Sequence, residues 1–490
     1  MNNRFTQATV RGVFWTYSSF YIGKVMVLIS TVILARLLVK SDFGVVSFAL
    51  LIIGFLDTIN SAGISSALIY YQDDEHALYN SAFWLNLAVG GVMFAGTWLL
   101  APLAGNYFDD RRVVSFTQAL AFVFLLNSLE DIPKAILTKN LSFKAKFLPD
   151  TLHAIFKGVV SILFAMMGFG AWSLVIGHLA GAFSSLIMYW IIVPWRPKFR
   201  MTIQWIRTIF SYGIGIVATN LLSYILVNID YLFVGYFLGA AALGVYTIAF
   251  RIPDLLIVQF CSLVGRVIFP VFVKLKDDPE ALKAAFLKTM NYVSSITIPL
   301  GLGLMLVSKP FVLTVFTNKW SEAIPVMRAI ALYALFLSLA YNATHAYKAR
   351  GAILLMTSIS TVRAAILIPA LWWASSRIGS IEAIAWTHAV IAFIGCSINI
   401  IMAGRVMNAS LASIMRTLRS PLIAGAVMSI VVLGILYITS SLLPWVQLIT
   451  GIATGALSYT AILAWIQKDI FMEIWLMFRT SISPQPKLNQ

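Results

Sequence analysis

A chain of 490 residues with 60% hydrophobic and only 11% charged residues is not built for water, where roughly 25% charged is the norm. Its 35 Lys and Arg against 19 Asp and Glu give a formal charge of +16, yet no basic soluble domain carries the excess, which argues against nucleic acid as a partner. The two cysteines, Cys261 and Cys396, lie in apolar runs without CxxC spacing or a His partner and read as inert membrane thiols.

About 20 apolar residues in a helix cross a hydrocarbon core of ~30 Å, and such stretches recur along the whole chain. In chain order the predicted spans are 12–38, 43–70, 80–104, 114–137, 147–168, 171–193, 206–234, 238–269, 286–307, 323–347, 352–374, 380–403, 418–442 and 444–466. The first run is too long for a cleavable signal peptide and has no small-residue cleavage pattern, so it is expected to stay as a helix. Loops between spans are short, and none has room for a catalytic domain. The tail 479–490, ending in SPQPKLNQ, has the composition of a disordered terminus.

With the N-terminus placed in the cytoplasm, Lys and Arg favour the cytoplasmic segments roughly threefold. Arg196, Lys198, Arg200 and Arg207 in one loop, and Lys139, Lys144 and Lys146 in another, carry much of that bias. Most of the net charge is therefore a topology signal and a contact with membrane-lipid headgroups. Both termini are expected on the cytoplasmic side.

The stretch QDDEHALYNSAF, Gln72 to Phe83, returns as KDDPEALKAAF around Asp277. Upstream, at an offset of about 200, Gly44 falls on Gly244, Val45 on Val245 and Ala49 on Ala249. Downstream, His178 falls near His388. Two copies of six helices form a tandem duplication, and an even number keeps both copies in one orientation, as parallel repeats. The expected fold is an all-α polytopic membrane protein of about 14 helices, two facing six-helix bundles and two extra C-terminal helices. The expected segments are 1–204, 205–405, 406–470 and a cytoplasmic tail 471–490. In both copies the aspartates precede a span. Asp there caps the free N–H groups of a helix start, whereas a metal site would not let Glu280 stand for His76 and Pro279 for Glu75. No metal is expected.

An ionisable residue near mid-bilayer costs at least ~2.5 kcal/mol and so needs a partner, water or a job. Lys24, Lys157, Arg251 and Arg363 lie near the middle of their spans, and Asp57 is similarly deep. Tyr17, Tyr21 and Lys24 share one helical face, Asp150, His153 and Lys157 a second, and Thr247, Arg251 and Asp254 a third. Ser360 sits one turn from Arg363. Two readings compete for these residues. As the lining of a cavity between facing halves, the cations suit phosphate and the phenols suit sugars. As structural pairs, Arg251 would serve Asp254, Asp150 would serve His153 or Lys157, and Lys24 would serve Asp57. Glu130, Asp131 and Lys134, beside Pro133 near a cytoplasmic helix end, read as a structural group with an i, i+4 pair, Arg266 and Arg328 as helix-end residues, and His178 and His388 as interior histidines. Pro253, Pro299 and Pro369 predict bends. No HExxH, GxSxG, Walker A or zinc CxxC pair occurs, so no enzyme and no cofactor is expected.

The stretches ILARLLVKSDFGVVSFALLIIGFLDTINSAGISSALI and NIDYLFVGYFLGAAALGVYTIAFRIPDLL, the latter followed by RVIFPVFVKLKDDPEAL, carry a family resemblance over nearly the whole chain. They resemble the polysaccharide exporters, or lipid-linked oligosaccharide flippases, of the multidrug/oligosaccharidyl-lipid/polysaccharide exporter superfamily, in particular the colanic-acid and exopolysaccharide branch. The pattern includes the D…G…LG-x-Y-x-x-A run from Asp230 to Ala249. The resemblance implies a bacterial cytoplasmic-membrane protein that moves an undecaprenyl-pyrophosphate-linked oligosaccharide by alternating access, for exopolysaccharide or O-antigen-type synthesis. It also implies a polysaccharide polymerase and co-polymerase as partners, and cationic cavity residues on the pyrophosphate. Lys24, Lys157, Arg251 and Arg363 are candidates for that role by depth, since no invariant motif transfers. A drug or cation exporter of the same superfamily is an alternative that Asp57 leaves open and that a net basic cavity would disfavour. A membrane glycan polymerase or ligase is a further alternative, but the large outward loop such enzymes need is missing.

Overall fold

Within hydrocarbon every backbone N–H and C=O must be bonded inside its own segment, so long apolar runs have only the helix open to them. The computed structural model describes residues 22–61, 64, 68, 75–140 and 142–467, and no strand occurs among them. Helix α1 covers residues 22–37. It is followed by α2 (Lys40–Ser61), α3 (Glu75–Tyr107), α4 (Arg112–Lys139), α5 (Phe143–Met166), α6 (Trp172–Ile192) and α7 (Ile203–Pro253). A π-helical turn at Asp254–Val258 leads into α8 (Gln259–Lys274). Next come α9 (Pro279–Val315), α10 (Ala323–Ala349), α11 (Ile353–Trp373), α12 (Ile381–Val406), α13 (Leu411–Ile438) and α14 (Pro444–Ile466).

Among the described residues 12 helices are long and apolar enough to cross a membrane, so the chain is an all-α polytopic protein. One of the 12, Ser223–Lys274, runs to 52 residues. The backbone leaves helical geometry at Gly239, where φ is 82° and ψ 179°, a conformation open to glycine at little cost. Sixteen residues of straight helix would put Asp230 and Tyr246 ~24 Å apart, yet the Tyr246 hydroxyl donates to Asp230 Oδ2 over 2.7 Å. The chain therefore doubles back at Gly239 and makes two passes. The Asp230-to-Ala249 sequence run is the record of that reversal. Asp230 is fully buried and takes the phenol of the returning strand of helix.

The predicted spans coincide with the helices to within a few residues where a bilayer sets both ends, as for 444–466 against Pro444–Ile466. Helices that outlast the apolar run extend further, as for 286–307 against Pro279–Val315. Asp278 caps α9 as expected, accepting from Ala281 N at 3.0 Å with Pro279 at the first helical position. In the first copy α3 starts at Glu75, and Asp73 and Asp74 lie outside the described residues. Pro253 and Pro369 are each followed by a π-helical turn, the second at Ala374–Ile378, while Pro299 sits inside α9.

The chain forms two compact units, Met1–Thr247 and Ile248–Gln490. In the first, α2 and the returning part of α7 cross at backbone distance. A Cβ on Gly44 would overlap the Ala240 carbonyl oxygen, and one on Gly244 would overlap that of Lys40. Thr247 Oγ1 donates to Ser47 Oγ, 3.1 Å, at the same crossing. The linker after α6 is tied down by the start of α3, where Lys198 N donates to Asn80 Oδ1 (2.8 Å) and Thr202 N to Ser81 Oγ (3.0 Å). Phe83 packs edge-on against Trp84, Trp190 and Trp195 beneath it. In the second unit, Phe272, Phe286, Tyr347 and Met407 centre a core drawn from α8, α9, α10 and the end of α12. Helices α13 and α14 dock on α9, and the Tyr459 hydroxyl donates to Ser295 O at 2.9 Å. Cys261 and Cys396 are buried free thiols.

Candidate functional site

Polar residues at helical spacing converge in the first unit. Asn127, Glu130 and Lys134 recur at i, i+3 and i+7 on α4, as do Asp150, His153 and Lys157 on α5, so each set forms one stripe. Helix α6 adds His178, Ser185 and Tyr189, and α2 adds Asp57. Small residues let α5 and α6 approach: a Cβ on Gly181 would stand 2.8 Å from the His153 carbonyl oxygen. The result is a cavity of about 430 Å³ whose lining includes Asp57, Asn127, Glu130, Lys134, Asp150 and His153.

Hydrogen bonds link these groups in sequence. Lys134 Nζ donates to Glu130 Oε1 (3.3 Å), and the Ser185 hydroxyl donates to Glu130 Oε2 (2.6 Å). His153 Nδ1 lies 3.3 Å from the same hydroxyl. The Tyr189 phenol donates to Asp150 Oδ1 (2.7 Å), and Asn127 Nδ2 to Asp57 Oδ1 (3.2 Å). Beside the cavity Asn86 Nδ2 donates to Asp131 Oδ2, 3.2 Å. No group of three or more His, Cys, Asp or Glu among the described residues is placed to hold a metal ion.

The expected residues fare unevenly. Tyr17 and Tyr21 lie outside the described residues, so the aromatic face beside Lys24 is not seen. Lys24 on α1, Lys157 on α5 and Arg363 on α11 are half-buried, and Arg251 is exposed. Arg363 lays its stem against α12, its Cδ 3.8 Å from where a Cβ on Gly395 would stand. Two expected pairings need correction. Arg251 and Asp254 form no ion pair: Asp254 accepts instead from Gln259 Nε2 at 3.2 Å. The π-helical turn explains the change, because its wider repeat carries Asp254 toward the residue five positions on. Thr247, the third member of that stripe, is engaged by Ser47. Asp150 takes the phenol of Tyr189 and is hydrogen-bonded to neither His153 nor Lys157. The Glu130–Lys134 pair forms as expected, but Glu130 is only 7% exposed and lines the cavity, which the helix-end reading missed. The one sequence signal was the 3–4 spacing from Asn127 to Lys134.

The cavity also departs from a simple anion site. Among the described residues of its lining, Asp57, Glu130 and Asp150 accompany one lysine, Lys134.

Comparison with known proteins places this geometry in context. The family model for "Polysaccharide biosynthesis protein" matches residues 33–325, more than half of the chain. The teichuronic acid biosynthesis protein TuaB of Bacillus subtilis is 25% identical over 473 residues, covering 94% of this chain and 95% of its own. The succinoglycan biosynthesis transport protein ExoT of Rhizobium meliloti is 24% identical over 453 residues, 91% of each chain. Among solved structures, the lipid II flippase MurJ in an inward closed conformation shares the fold with a TM-score of 0.74 at 16% identity, over 93% of this chain and 99% of that one. The chain thus belongs to the polysaccharide biosynthesis protein family.

Proposed function

We propose that this protein is a flippase that carries an undecaprenyl-pyrophosphate-linked oligosaccharide across the bacterial cytoplasmic membrane by alternating access, supplying exopolysaccharide or O-antigen-type synthesis. The observation that carries the reading is likeness over the full length: TuaB and ExoT, both named for polysaccharide synthesis, are matched over more than nine-tenths of the chain. The fold of a lipid II flippase covers a similar share. The proposed plan is a six-helix bundle over 1–204, its parallel repeat over 205–405, two further helices over 406–470 and a tail over 471–490, with both termini cytoplasmic. The crossing of α2 and α7 supports the repeat. Gly44 meets the residue 200 positions beyond Lys40, and Gly244 meets Lys40 itself, the reciprocal contact that two-fold related copies make. Polysaccharide polymerase and co-polymerase are the proposed partners.

Within this reading Lys24, Lys157, Arg251 and Arg363 hold the pyrophosphate, Tyr17 and Tyr21 contact sugar, and Asp57 and Asp254 serve coupling or local support. Arg251 is the best supported, being exposed and without a hydrogen bond or ion pair among the described residues. A guanidinium in that position is available to a phosphate, with which it forms short charge-assisted hydrogen bonds. A second reading, export of an organic cation, draws on one observation: three carboxylates beside one lysine among the described residues that line the first unit's cavity. Deleting the gene in its host separates the two. The flippase reading requires lipid-linked oligosaccharide to accumulate on the inner leaflet and surface polysaccharide to fall. Unchanged polysaccharide with raised sensitivity to cationic dyes supports the second reading instead.

A further inference from the structure

Helix α6 has 21 residues, Trp172–Ile192. At 1.5 Å per residue that is ~31 Å, the depth of a hydrocarbon core. The linker after it, residues 193–202, therefore begins where hydrocarbon gives way to lipid headgroups. Trp190 and Trp195 stand at that level, as interfacial tryptophans do. The linker is tied to α3: Lys198 N and Thr202 N donate to Asn80 Oδ1 and Ser81 Oγ, and Trp84 Nε1 donates to Lys198 O over 3.0 Å. With the backbone held there, Lys198, Phe199, Arg200 and Met201 are all exposed.

Arg196, Lys198, Arg200 and Arg207 lie on or just after this linker, and the first is already engaged. Arg196 closes the end of α6, its guanidinium donating to Trp190 O (3.0 Å), Val193 O (2.7 Å) and Trp195 O (2.8 Å). Lys198, Arg200 and Arg207 are exposed, and their side-chain nitrogens have no hydrogen bond or ion pair among the described residues. No Asp or Glu occurs in the sequence between Asp150 and Asp230. Topology asks only that such charges stay on one side of the membrane. It does not account for the apolar side chains set between them. Phe199, Met201 and Ile203 are 78%, 52% and 79% exposed. On the first turns of α7, Ile203 and Arg207 share the outer face, four residues apart, while Trp205 and Ile209 pack inward. Cations interleaved with bare apolar side chains match a surface that is anionic outside and hydrocarbon just beneath. A soluble acidic segment would answer the charges, but the depth set by α6 puts Phe199 and Ile203 against lipid.

We propose that the α6–α7 linker is a selective site for anionic phospholipid, with Lys198, Arg200 and Arg207 on headgroup phosphates and Phe199, Met201 and Ile203 in the acyl boundary. The proposal does not depend on what the protein transports. The full chain is placed in phosphatidylcholine nanodiscs containing phosphatidylglycerol that bears a diazirine near its headgroup. Phosphatidylcholine with the same diazirine, at the same mole fraction, is the comparison. The phosphatidylglycerol probe should label peptides spanning Arg196–Arg207 saturably, about tenfold or more above the comparison, and unlabelled phosphatidylglycerol should compete. Lys198→Gln, Arg200→Gln and Arg207→Gln together should abolish that preference at an unchanged melting temperature. Raising salt from about 0.1 M to about 1 M, which shortens the Debye length from ~10 Å to ~3 Å, should narrow it. Equal labelling by the two probes overturns the proposal, as does an undiminished preference in the folded triple variant. Protection of Lys198 and Arg200 from trypsin by polyglutamate, with none from phosphatidylglycerol, also overturns it and assigns the surface to an acidic protein.

Discussion

Replacing Gly244 with alanine puts a methyl group where the Lys40 carbonyl oxygen already stands. The new Cβ would also lie 2.9 Å from Lys40 C and 3.1 Å from Gly44 N. All three neighbours are backbone, so no rotamer change relieves the contact, and α2 and α7 must part. Gly44→Ala repeats the collision on Ala240, with its Cβ 2.9 Å from Ala240 Cα. Overpacking of a tight contact costs ~1–3 kcal/mol, and alanine in place of a helix-interior glycine returns ~0.5–1 kcal/mol. Each variant should therefore lose about 1–2 kcal/mol, a factor of roughly 5–30 in the folded-to-unfolded ratio. Once either methyl has separated the helices the other finds room, so the double variant should cost less than the sum by about 0.5 kcal/mol or more. Equilibrium unfolding in mixed micelles with a denaturing detergent reads all four stabilities. A single variant as stable as the parent, or fully additive costs, would refute the backbone-on-backbone crossing.

Three further outcomes are expected. Tyr246→Phe removes the hydroxyl that Asp230 accepts in a fully buried site, and should cost ~1.5–3 kcal/mol in the same unfolding assay while leaving the α7 reversal at Gly239 in place. Asp278→Ala should lose ~1 kcal/mol as a missing helix cap, whereas Asp278→Asn should stay within a few tenths, since asparagine caps as well; an equal loss in both would return the acidic cluster to a charge-dependent role. Arg251→Ala should lower export about tenfold or more at normal abundance, the weight of one hydrogen bond to a charged group, and exchanging the charges of Arg251 and Asp254 should not restore it, because the two do not pair; rescue by the exchange, measured beside protein abundance, would contradict the geometry.

The spans were legible because bilayer thickness sets helix length, and a run such as 444–466 has no alternative structure in hydrocarbon. The two passes of α7 were legible as two apolar runs, although only the structure shows that Asp230 and Tyr246 clasp the reversal at Gly239. The Asp278 cap followed from Asp-Pro before an apolar run. The polar cavity was hidden for a physical reason. Asp57, Glu130, Asp150 and Ser185 come from four helices, and nothing local in a sequence records which helices pack together. The Arg251–Asp254 pairing failed because i, i+3 spacing assumes an α-helix, and a π-helical turn begins at Asp254 instead. Glu130 looked like a helix-end residue because hydropathy marks where a helix ends but not which of its faces is enclosed.

Reconstitution measures transbilayer movement of a lipid-linked oligosaccharide directly. The full chain is incorporated into vesicles carrying a fluorescent oligosaccharide on a polyisoprenyl pyrophosphate, and an external lectin or glycosidase reports which leaflet holds the sugar. The protein should render sugar from the inaccessible leaflet reachable, Arg251→Ala vesicles should do so about tenfold more slowly, and a diacyl phospholipid with the same fluorophore should stay in place. Sugar that remains inaccessible in vesicles where the same protein transports an organic cation would contradict the flippase function.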